Sequence, residues 1–308
     1  MAKNQRIKVL VTGSNGLLGQ TLVNLLLLEK DRYQVIGLSK GENRNKQEGF
    51  DYISLDITHA VQFKETLLKV APAVLVHTAA MTNVDLCETQ QAACKALNID
   101  TMAVIVAASQ QLNTHVIHVS TDFVFDGEKG LYKETDTVNP LSYYGMSKLK
   151  SEEILTNGAI SHTILRTILV YGKVLEMTRN NIVCWLLEVL QYGKQVQMVA
   201  DQYRAPTYVE DLAIACKKAM DIKAQGLFHF ASNTLLSIYE MAQQVAEVFG
   251  EDARLIQPIS TKTLSQTASR PPKTGFNLEK TRTVLGIYPK SFKEDLQRFK
   301  EKLSKENI

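Results

Sequence analysis

The sequence predicts an α/β fold in which helices cover both faces of a parallel sheet, a doubly wound arrangement. Short apolar runs alternate with segments of helical period through the first half of the chain. A glycine-rich turn joins the first apolar run to the first helical segment. Polar residues recur directly after the apolar runs, at the carboxyl ends of the predicted strands, where sheets of this kind bind ligands.

The same alternation predicts the individual elements. The strand candidates of the first half are residues 8–12, 34–38, 52–55, 73–78, 115–120 and 163–167. The helical segments between them are residues 17–28, 60–69, 87–111 and 142–155. After about residue 170 the pattern loosens into helices at 182–192, 209–220 and 238–249, strands at 196–200 and 226–231, and a mixed-charge helix and tail at 293–307.

The glycine turn, TGSNGLLG at residues 12–19, has the spacing of a phosphate-binding turn. Gly13 permits a tight turn, Gly16 lets the backbone approach a pyrophosphate, and Gly19 lets the helix lie close to the sheet. The free N–H groups at the helix start favour an anion. A glycine-rich turn can also serve only to connect a strand to a helix, so a second motif must support a role in binding. With that support we expect cofactor contacts from Gly13, Ser14, Asn15, Gly16, Leu17, Leu18 and Gly19.

The second motif is Tyr144 followed by Lys148, with Ser120, Thr121 and Asp122 upstream at a strand end. On a helix this spacing places phenol and ammonium on one face, so that the cation lowers the pKa of the phenol. The adjacent Tyr143 lacks that spacing to Lys148. The two motifs together predict a carbonyl reductase with a Rossmann-type sheet.

These motifs divide the chain into two parts. We expect a dinucleotide-binding domain at residues 1–168, with returns to the sheet around residues 207–232. Residues 169–308 would then form mainly a smaller substrate-binding lobe. The substrate would bind in the cleft between the two.

The bulk composition excludes several other classes. The 308 residues are 45% hydrophobic with a net charge of +3 and lack a long basic run, which argues against nucleic-acid binding. The apolar run at residues 25–28 is too short to span a bilayer, and the N-terminus lacks the pattern of a signal peptide. The four cysteines have no metal-ligand spacing. We expect a cytoplasmic protein with reduced, mostly buried thiols, no metal site and no membrane association.

The chain resembles the extended short-chain dehydrogenase/reductase family and, within it, the dTDP-4-dehydrorhamnose reductases. The resemblance covers nearly the whole chain, and its most specific string is STDFVFDG at residues 120–127. The other matching segments are TGSNGLLG at 12–19, HTAAMTNVD at 77–85, YGMSK at 144–148, LRT at 165–167, DQ at 201–202, PT at 206–207 and RP at 270–271.

The resemblance implies a set of catalytic roles. Tyr144 would protonate the C4 oxygen of a sugar, and Thr121 would hydrogen-bond the same oxygen. Lys148 would hold the nicotinamide ribose and lower the pKa of Tyr144. Asp122 would orient substrate hydroxyls, although a residue of this type also serves as a helix N-cap or turn residue.

The resemblance also implies binding residues. Asp56 resembles the family's adenine contact but could equally cap the next turn, and Asn98 resembles the helix Asn that positions the catalytic groups. Ala79 and Ala80 would leave room for the nicotinamide ribose. The remaining cofactor candidates are Ser39, Lys40, Ile57, Thr82 and Ser120, in addition to Tyr144 and Lys148. The substrate candidates are Met81, Val84, Asp122, Phe123, Gln202, Arg204 and Arg270.

The chain departs from the family pattern at two positions. Leu169 stands where the family commonly has Trp, which removes an aromatic platform. Arg204 stands where Gly is usual. This cation could bind a diphosphate, or it could be an ordinary surface residue.

The resemblance implies NADPH-dependent reduction of dTDP-4-dehydro-6-deoxy-L-mannose to dTDP-L-rhamnose for polysaccharide biosynthesis, with a homodimer as the assembly to test. One alternative is another nucleotide-sugar 4-ketoreductase or an epimerase. Another is a non-catalytic NADP-binding subunit, because the regulatory subunit of methionine adenosyltransferase resembles these reductases. The intact set of Thr121, Tyr144 and Lys148 favours an enzyme.

The end of the second strand predicts the choice of cofactor, with NADPH preferred and NADH accepted less well. An NAD site usually places an acid there for the ribose 2′-hydroxyl, whereas this chain has Ser39 and Lys40, with Arg44 nearby. Hydroxyl and cationic side chains suit a 2′-phosphate. Steady-state assays should therefore give a lower KM for NADPH than for NADH, and the reverse order would overturn this prediction.

Overall fold

The structure, a computed structural model, describes residues 6–177 and 179–306. Its strands are Ile7–Thr12 (β1), Tyr33–Ser39 (β2), Asp51–Ser54 (β3), Val74–His77 (β4), His115–Thr121 (β5), Gly130–Tyr132 (β6), His162–Thr167 (β7), Val170–Tyr171 (β8), Val196–Val199 (β9), Tyr203–Arg204 (β10), Thr207–Tyr208 (β11), Gly226–Phe230 (β12), Leu236–Ser237 (β13), Ile256–Ile259 (β14) and Lys273–Phe276 (β15). Its α-helices are Leu17–Leu27 (α1), Ala60–Val70 (α2), Val84–Thr89 (α3), Gln91–Cys94 (α4), Thr101–Leu112 (α5), Tyr143–Asn157 (α6), Ile182–Gln191 (α7), Val209–Asp221 (α8), Ile238–Phe249 (α9) and Phe292–Glu306 (α10).

The central sheet has seven parallel strands in the order β12-β7-β5-β4-β1-β2-β3. The chain first moves outward from β1 to β3 and then crosses back to β4, so the strand order reverses beside β1. The predicted α/β class and the parallel sheet are confirmed. The six strands predicted in the first half all occur, with no end shifted by more than one residue.

Helices cover both faces of this sheet, as a doubly wound fold requires. Val9 and Val11 of β1 belong to a core cluster that includes residues of α1 and α8, and these two helices pack on each other. Leu10, between them in sequence, belongs to the opposite cluster with residues of α2 and α5. Alternate side chains of β1 therefore pack into two apolar cores, one on each face of the sheet. This alternation is the period of two expected for a buried strand.

The single helix predicted at residues 87–111 is wrong in its details. Helix α3 ends at Thr89, a new helix begins at Gln91, and residues Lys95–Asp100 form a π-helical turn before α5. The stretch Gln91–Leu112 is long and apolar enough to cross a bilayer by length and composition, and 44% of its most apolar window is buried inside the protein. Because α5 packs on α2 and α6, the apolar character of this stretch is also that of a core helix.

Among the described residues, the strands outside the central sheet are short, and the sequence pattern predicted only one of them, β9, at residues 196–200. Strands β13, β10, β15 and β6 form a second sheet, and two further pairs join β8 to β11 and β9 to β14. These strands have two to four residues each, too few to show a period of two. Strand β12 joins the edge of the central sheet. The exact domain boundary at residue 168 stays a prediction.

The glycine turn depends on close backbone packing. A Cβ atom at Gly19 would lie 2.2 Å from the Gly13 carbonyl oxygen and 2.7 Å from the Ser14 Cα, which are backbone atoms that cannot turn aside. We expect Gly19→Ala to lower the free energy of unfolding by about 1–3 kcal/mol or more, measured by chemical denaturation.

The matched control for this substitution is Gly250→Ala. Gly250 differs from Gly19 in having a left-handed backbone (φ +81°), and a Cβ there meets no atom within 4 Å. Its cost should be only the backbone strain of about 1–2 kcal/mol. If Gly19→Ala proves no more damaging than Gly250→Ala, close packing does not govern this turn.

Candidate active site

The start of α1 has the geometry of an anion site. Gly16 occupies the N-cap position without a side-chain hydrogen bond, and its amide donates to the Gly13 carbonyl oxygen at 2.8 Å. Gly13 has φ +73°, and a Cβ there would lie 2.7 Å from the Ala79 amide nitrogen. The first amides of α1 are therefore open to a negatively charged group, and the turn lies against the end of β4.

The glycine turn is tied to the loop after β2. Ser39 Oγ accepts hydrogen bonds from the Asn15 amide at 3.0 Å and from Ser14 Oγ at 3.4 Å. The Asn15 side chain donates to the Glu42 carbonyl oxygen and accepts from the Arg44 amide, at 2.8 and 2.9 Å. The cofactor candidates Ser14, Asn15 and Ser39 are thus joined by hydrogen bonds to one another.

Lys40 and Asp56 lie together beyond the ends of β2 and β3. Lys40 Nζ is 2.9 Å from Asp56 Oδ2, and the lysine side chain is 80% exposed. The hydrogen bond from Lys40 is the main cause that lowers the pKa of Asp56. Asp56 also accepts hydrogen bonds from the amide and hydroxyl of Thr58. It therefore caps the turn that follows β3, which was the alternative to an adenine contact. Ile57, the next candidate, is buried in the core.

Asn98 fastens the segment after β4 to helix α6. Its Oδ1 accepts from the Met81 amide at 2.8 Å, and its Nδ2 donates to the Met81 carbonyl oxygen at 3.1 Å and to Ser147 Oγ at 3.0 Å. Asn98 lies in the π-helical turn, a distortion often found at functional sites. It therefore fixes the backbone that follows Ala79 and Ala80, close to the helix that carries Tyr144.

Tyr144 faces the protein interior from the first turn of α6. Ser142 caps this helix by accepting from the Gly145 amide at 3.2 Å. A Cβ at Gly145 would lie 2.1 Å from the Phe123 carbonyl oxygen, so the helix start packs directly on the turn that follows β5. The Tyr144 ring meets the Phe123 ring edge-on at 5.8 Å. Tyr144 is 9% exposed, whereas Tyr143 is only half-buried.

Burial, and not the charge of Lys148, is the main influence on the pKa of Tyr144. Burial raises the pKa of Tyr144 above its ordinary value, and the hydrogen bond with the Thr121 side chain acts in the opposite direction. Lys148 is buried as well, and its Nζ lies 3.2 Å from His118 Nε2. Burial lowers the pKa of Lys148 to about 8.

Sequence reasoning missed the histidines beneath this site. His77 and His118 are paired across β4 and β5, and their rings stack at 5.5 Å. His77 Nδ1 contacts Thr12 Oγ1 at 2.8 Å, and His118 Nε2 contacts both Lys148 Nζ and Ser151 Oγ. Burial lowers the pKa of both imidazoles. The sequence carried one signal that could have identified these histidines. Each directly follows apolar residues in its strand, and the two positions are paired between neighbouring strands.

Asp122 is not a helix cap. Thr121 caps the short 3₁₀ turn Asp122–Val124 by accepting from the Phe123 amide at 3.2 Å. The Asp122 carboxylate is buried, where Oδ2 accepts from Thr274 Oγ1 at 2.5 Å and Oδ1 from Thr121 Oγ1 at 3.1 Å. Thr274 was not among the predicted residues because it lies on a short strand far away in sequence.

Arg204 is not a surface residue. Its side chain is 4% exposed, and Nε lies 3.7 Å from Asp122 Oδ2. Burial lowers the pKa of the guanidinium. Leu169, at the other departure from the family pattern, is half-buried, adopts a left-handed backbone (φ +43°) and packs between two apolar clusters.

The other substrate candidates fall into two groups. Met81, Val84 and Phe123 pack with Tyr144 in one small apolar cluster that also holds Cys87 and Cys94. Two further candidates lie in the second half and contact other partners. Gln202 donates to Thr261 and Gln266, and Arg270 forms two hydrogen bonds with the Asp85 carboxylate, at 2.7 and 3.2 Å.

Ser120 completes the row of polar residues at the sheet edge. It is 3% exposed, and its Oγ has no hydrogen-bond partner within the part of the chain that the structure describes. Thr82, the remaining cofactor candidate, lies exposed in the loop before α3. A buried hydroxyl without a partner at the end of β5 suits a bound polar molecule.

Comparisons with known proteins agree with this geometry. The family described as RmlD substrate binding domain matches residues 7–305. A dTDP-4-dehydrorhamnose reductase of Aggregatibacter actinomycetemcomitans is 32% identical over 302 residues, 94% of this chain and 97% of that protein. The methionine adenosyltransferase 2 subunit beta of Bos taurus is 28% identical over 258 residues, 82% of this chain and 75% of that protein.

A solved structure is similar over nearly the full length. The dTDP-4-dehydrorhamnose reductase of Bacillus anthracis, solved in complex with NADP, has a TM-score of 0.85 and 26% sequence identity, and the match covers 97% of this chain and all of that one. The resemblance inferred from the sequence motifs is therefore confirmed. The chain belongs to the RmlD family of extended short-chain dehydrogenases/reductases.

Proposed function

We propose that this protein reduces the 4-keto group of dTDP-4-dehydro-6-deoxy-L-mannose with NADPH, giving dTDP-L-rhamnose. The observation that carries the proposal is the meeting of Thr121, Tyr144 and the uncapped start of α1 at one edge of the sheet. The match to named dTDP-4-dehydrorhamnose reductases, one of them solved with NADP, supports this substrate and this cofactor.

The residues at the sheet edge fit a dinucleotide. The open amides of α1 suit the pyrophosphate, and Gly13 and Gly19 leave no room for side chains that would block it. Ser39 and Lys40 would face the 2′-phosphate, while Ala79, Ala80 and Ser120 would border the nicotinamide ribose. When bound, NADPH supplies the hydride for the reduction.

In the proposed mechanism Tyr144 is the general acid. Burial keeps its phenol protonated at neutral pH, so a proton is available for the C4 oxygen of the sugar. Thr121 contributes a hydroxyl beside the phenol, and this hydroxyl donates to the Asp122 carboxylate. Lys148 would hold the nicotinamide ribose after its ammonium turns from His118 towards the cleft.

The regulatory-subunit alternative has one observation in its favour, the match to methionine adenosyltransferase 2 subunit beta. The retained Thr121, Tyr144 and Lys148 support the enzyme instead. A homodimer, a cytoplasmic location and a substrate-binding lobe at residues 169–308 stay predictions of the same proposal.

The deciding assay follows NADPH oxidation by its absorbance with the dTDP-linked 4-keto sugar, beside UDP- and GDP-linked 4-keto sugars. We expect turnover restricted to the dTDP substrate. Turnover of another nucleotide sugar would indicate a related 4-ketoreductase. NADPH binding without turnover of any of them would favour the regulatory-subunit alternative.

The role of Tyr144 has its own test. Tyr144→Phe should lower kcat by about 10²–10⁴-fold because it removes the general acid, while NADPH affinity by fluorescence titration stays near the wild-type value. Tyr143→Phe is the matched control and should retain kcat, since Tyr143 lies only partly buried beside the site. An unchanged kcat in Tyr144→Phe would require another proton donor.

A further inference from the structure

A buried ion pair joins the catalytic end of the central sheet to the second sheet. Asp122 follows β5, Arg204 ends β10, and their side chains are 3% and 4% exposed. Arg204 Nε lies 3.7 Å from Asp122 Oδ2. A buried carboxylate without a countercharge is costly, so each of these residues depends on the other.

The remaining donors of Arg204 are directed at the protein. Nη1 donates to the Tyr203 carbonyl oxygen and Nη2 to the Pro271 carbonyl oxygen, both at 2.7 Å. The guanidinium also lies 5.7 Å from the centre of the Phe123 ring. A substrate diphosphate would have to displace these contacts, so this geometry favours a role inside the protein over direct binding of a phosphate.

Asp122 links this cation to Thr121. Its Oδ2 is shared between Thr274 and Arg204, which leaves Oδ1 to accept from the Thr121 hydroxyl at 3.1 Å. Thr121 has a single hydroxyl proton, so the state of Asp122 decides in which direction that proton points. An ionised Asp122 can only accept, whereas a protonated one could donate to Thr121.

We propose that Arg204 is a positioning residue of the active site: it holds the Asp122 carboxylate, which orients the Thr121 hydroxyl beside Tyr144. This inference rests on the proposed function for its effect on the rate, but the link between Arg204 and Asp122 can be tested without a substrate.

The charges around Asp122 give the sign of the pH dependence. Burial raises the pKa of Asp122, and the nearby Arg204 charge is the largest influence that lowers it. Loss of Arg204 therefore raises that pKa further, and protonation of Asp122 extends to higher pH. The other titratable or charged groups around this pair and Tyr144 are Arg270 with its partner Asp85, Lys148, Cys87 and Cys94.

The first experiment measures kcat/KM against pH for the full-length wild type, Arg204→Met, Asp122→Asn and the double variant. We expect Arg204→Met to lower kcat/KM by roughly tenfold to hundredfold, as a displaced catalytic group does, with the larger loss at acidic pH. The fall of kcat/KM on the acidic side of the profile, its acid limb, should move to higher pH in Arg204→Met. That limb should be absent in the double variant, which has no carboxyl at position 122, and Arg204→Lys should restore part of the activity.

The second experiment measures thermal stability against pH and needs no turnover. A carboxyl whose folded-state pKa is raised loses its stabilising effect as pH rises, because the folded state then holds a proton more tightly than the unfolded chain. The Tm difference between wild type and Arg204→Met should therefore grow from pH 5 to pH 8. The same comparison in the Asp122→Asn background should show no such growth.

The control is Arg298→Met, which breaks an Arg–carboxylate contact with Asp211 away from the sheet edge. It should lower Tm without moving the acid limb of kcat/KM. An acid limb that stays in place in Arg204→Met, or a rise in KM alone, would overturn the positioning role. If the stability coupling is present but no 4-keto sugar is reduced, the proposed function fails while the link between Arg204 and Asp122 stands.

Discussion

The parallel direction of the seven central strands is the constraint on which the rest of the site depends. Because all strands run the same way, every carboxyl end lies at one edge of the sheet. The glycine turn, Ser39, Thr121 and the segment at Ala79 come from four different strands and meet there. Pairing of β1 with both β2 and β4 places the turn at the point where the strand order reverses.

Burial is the main source of the unusual electrostatics at this edge. It raises the pKa of Tyr144 and Asp122 and lowers that of Lys148, in each case by penalising the charged form. Helix α6 packs so closely on the turn after β5 that Gly145 has no room for a Cβ. This packing holds the first turn of the helix that carries Tyr144 against the residues that follow Thr121.

Several side chains tie the loops around the site to the rest of the protein. Asn98 holds both backbone groups of Met81, and Asn15 holds the loop after β2. The contact between Asp85 and Arg270 joins α3 to a loop that lies 185 residues further along the chain. Long-range hydrogen bonds of this kind fix loops that would otherwise be free to move.

The sequence by itself determined the fold class, the glycine turn and the pairing of Tyr144 with Lys148 on one helix, because these features repeat or lie within a few residues of each other. Apart from β9, it did not reveal the described strands of two to four residues outside the central sheet, which are too short to show a period. Only the tertiary structure decided that Arg204 is buried against Asp122 and that Lys148 contacts His118. Those contacts join distant segments, and the direction of each pKa shift depends on burial that no local pattern records.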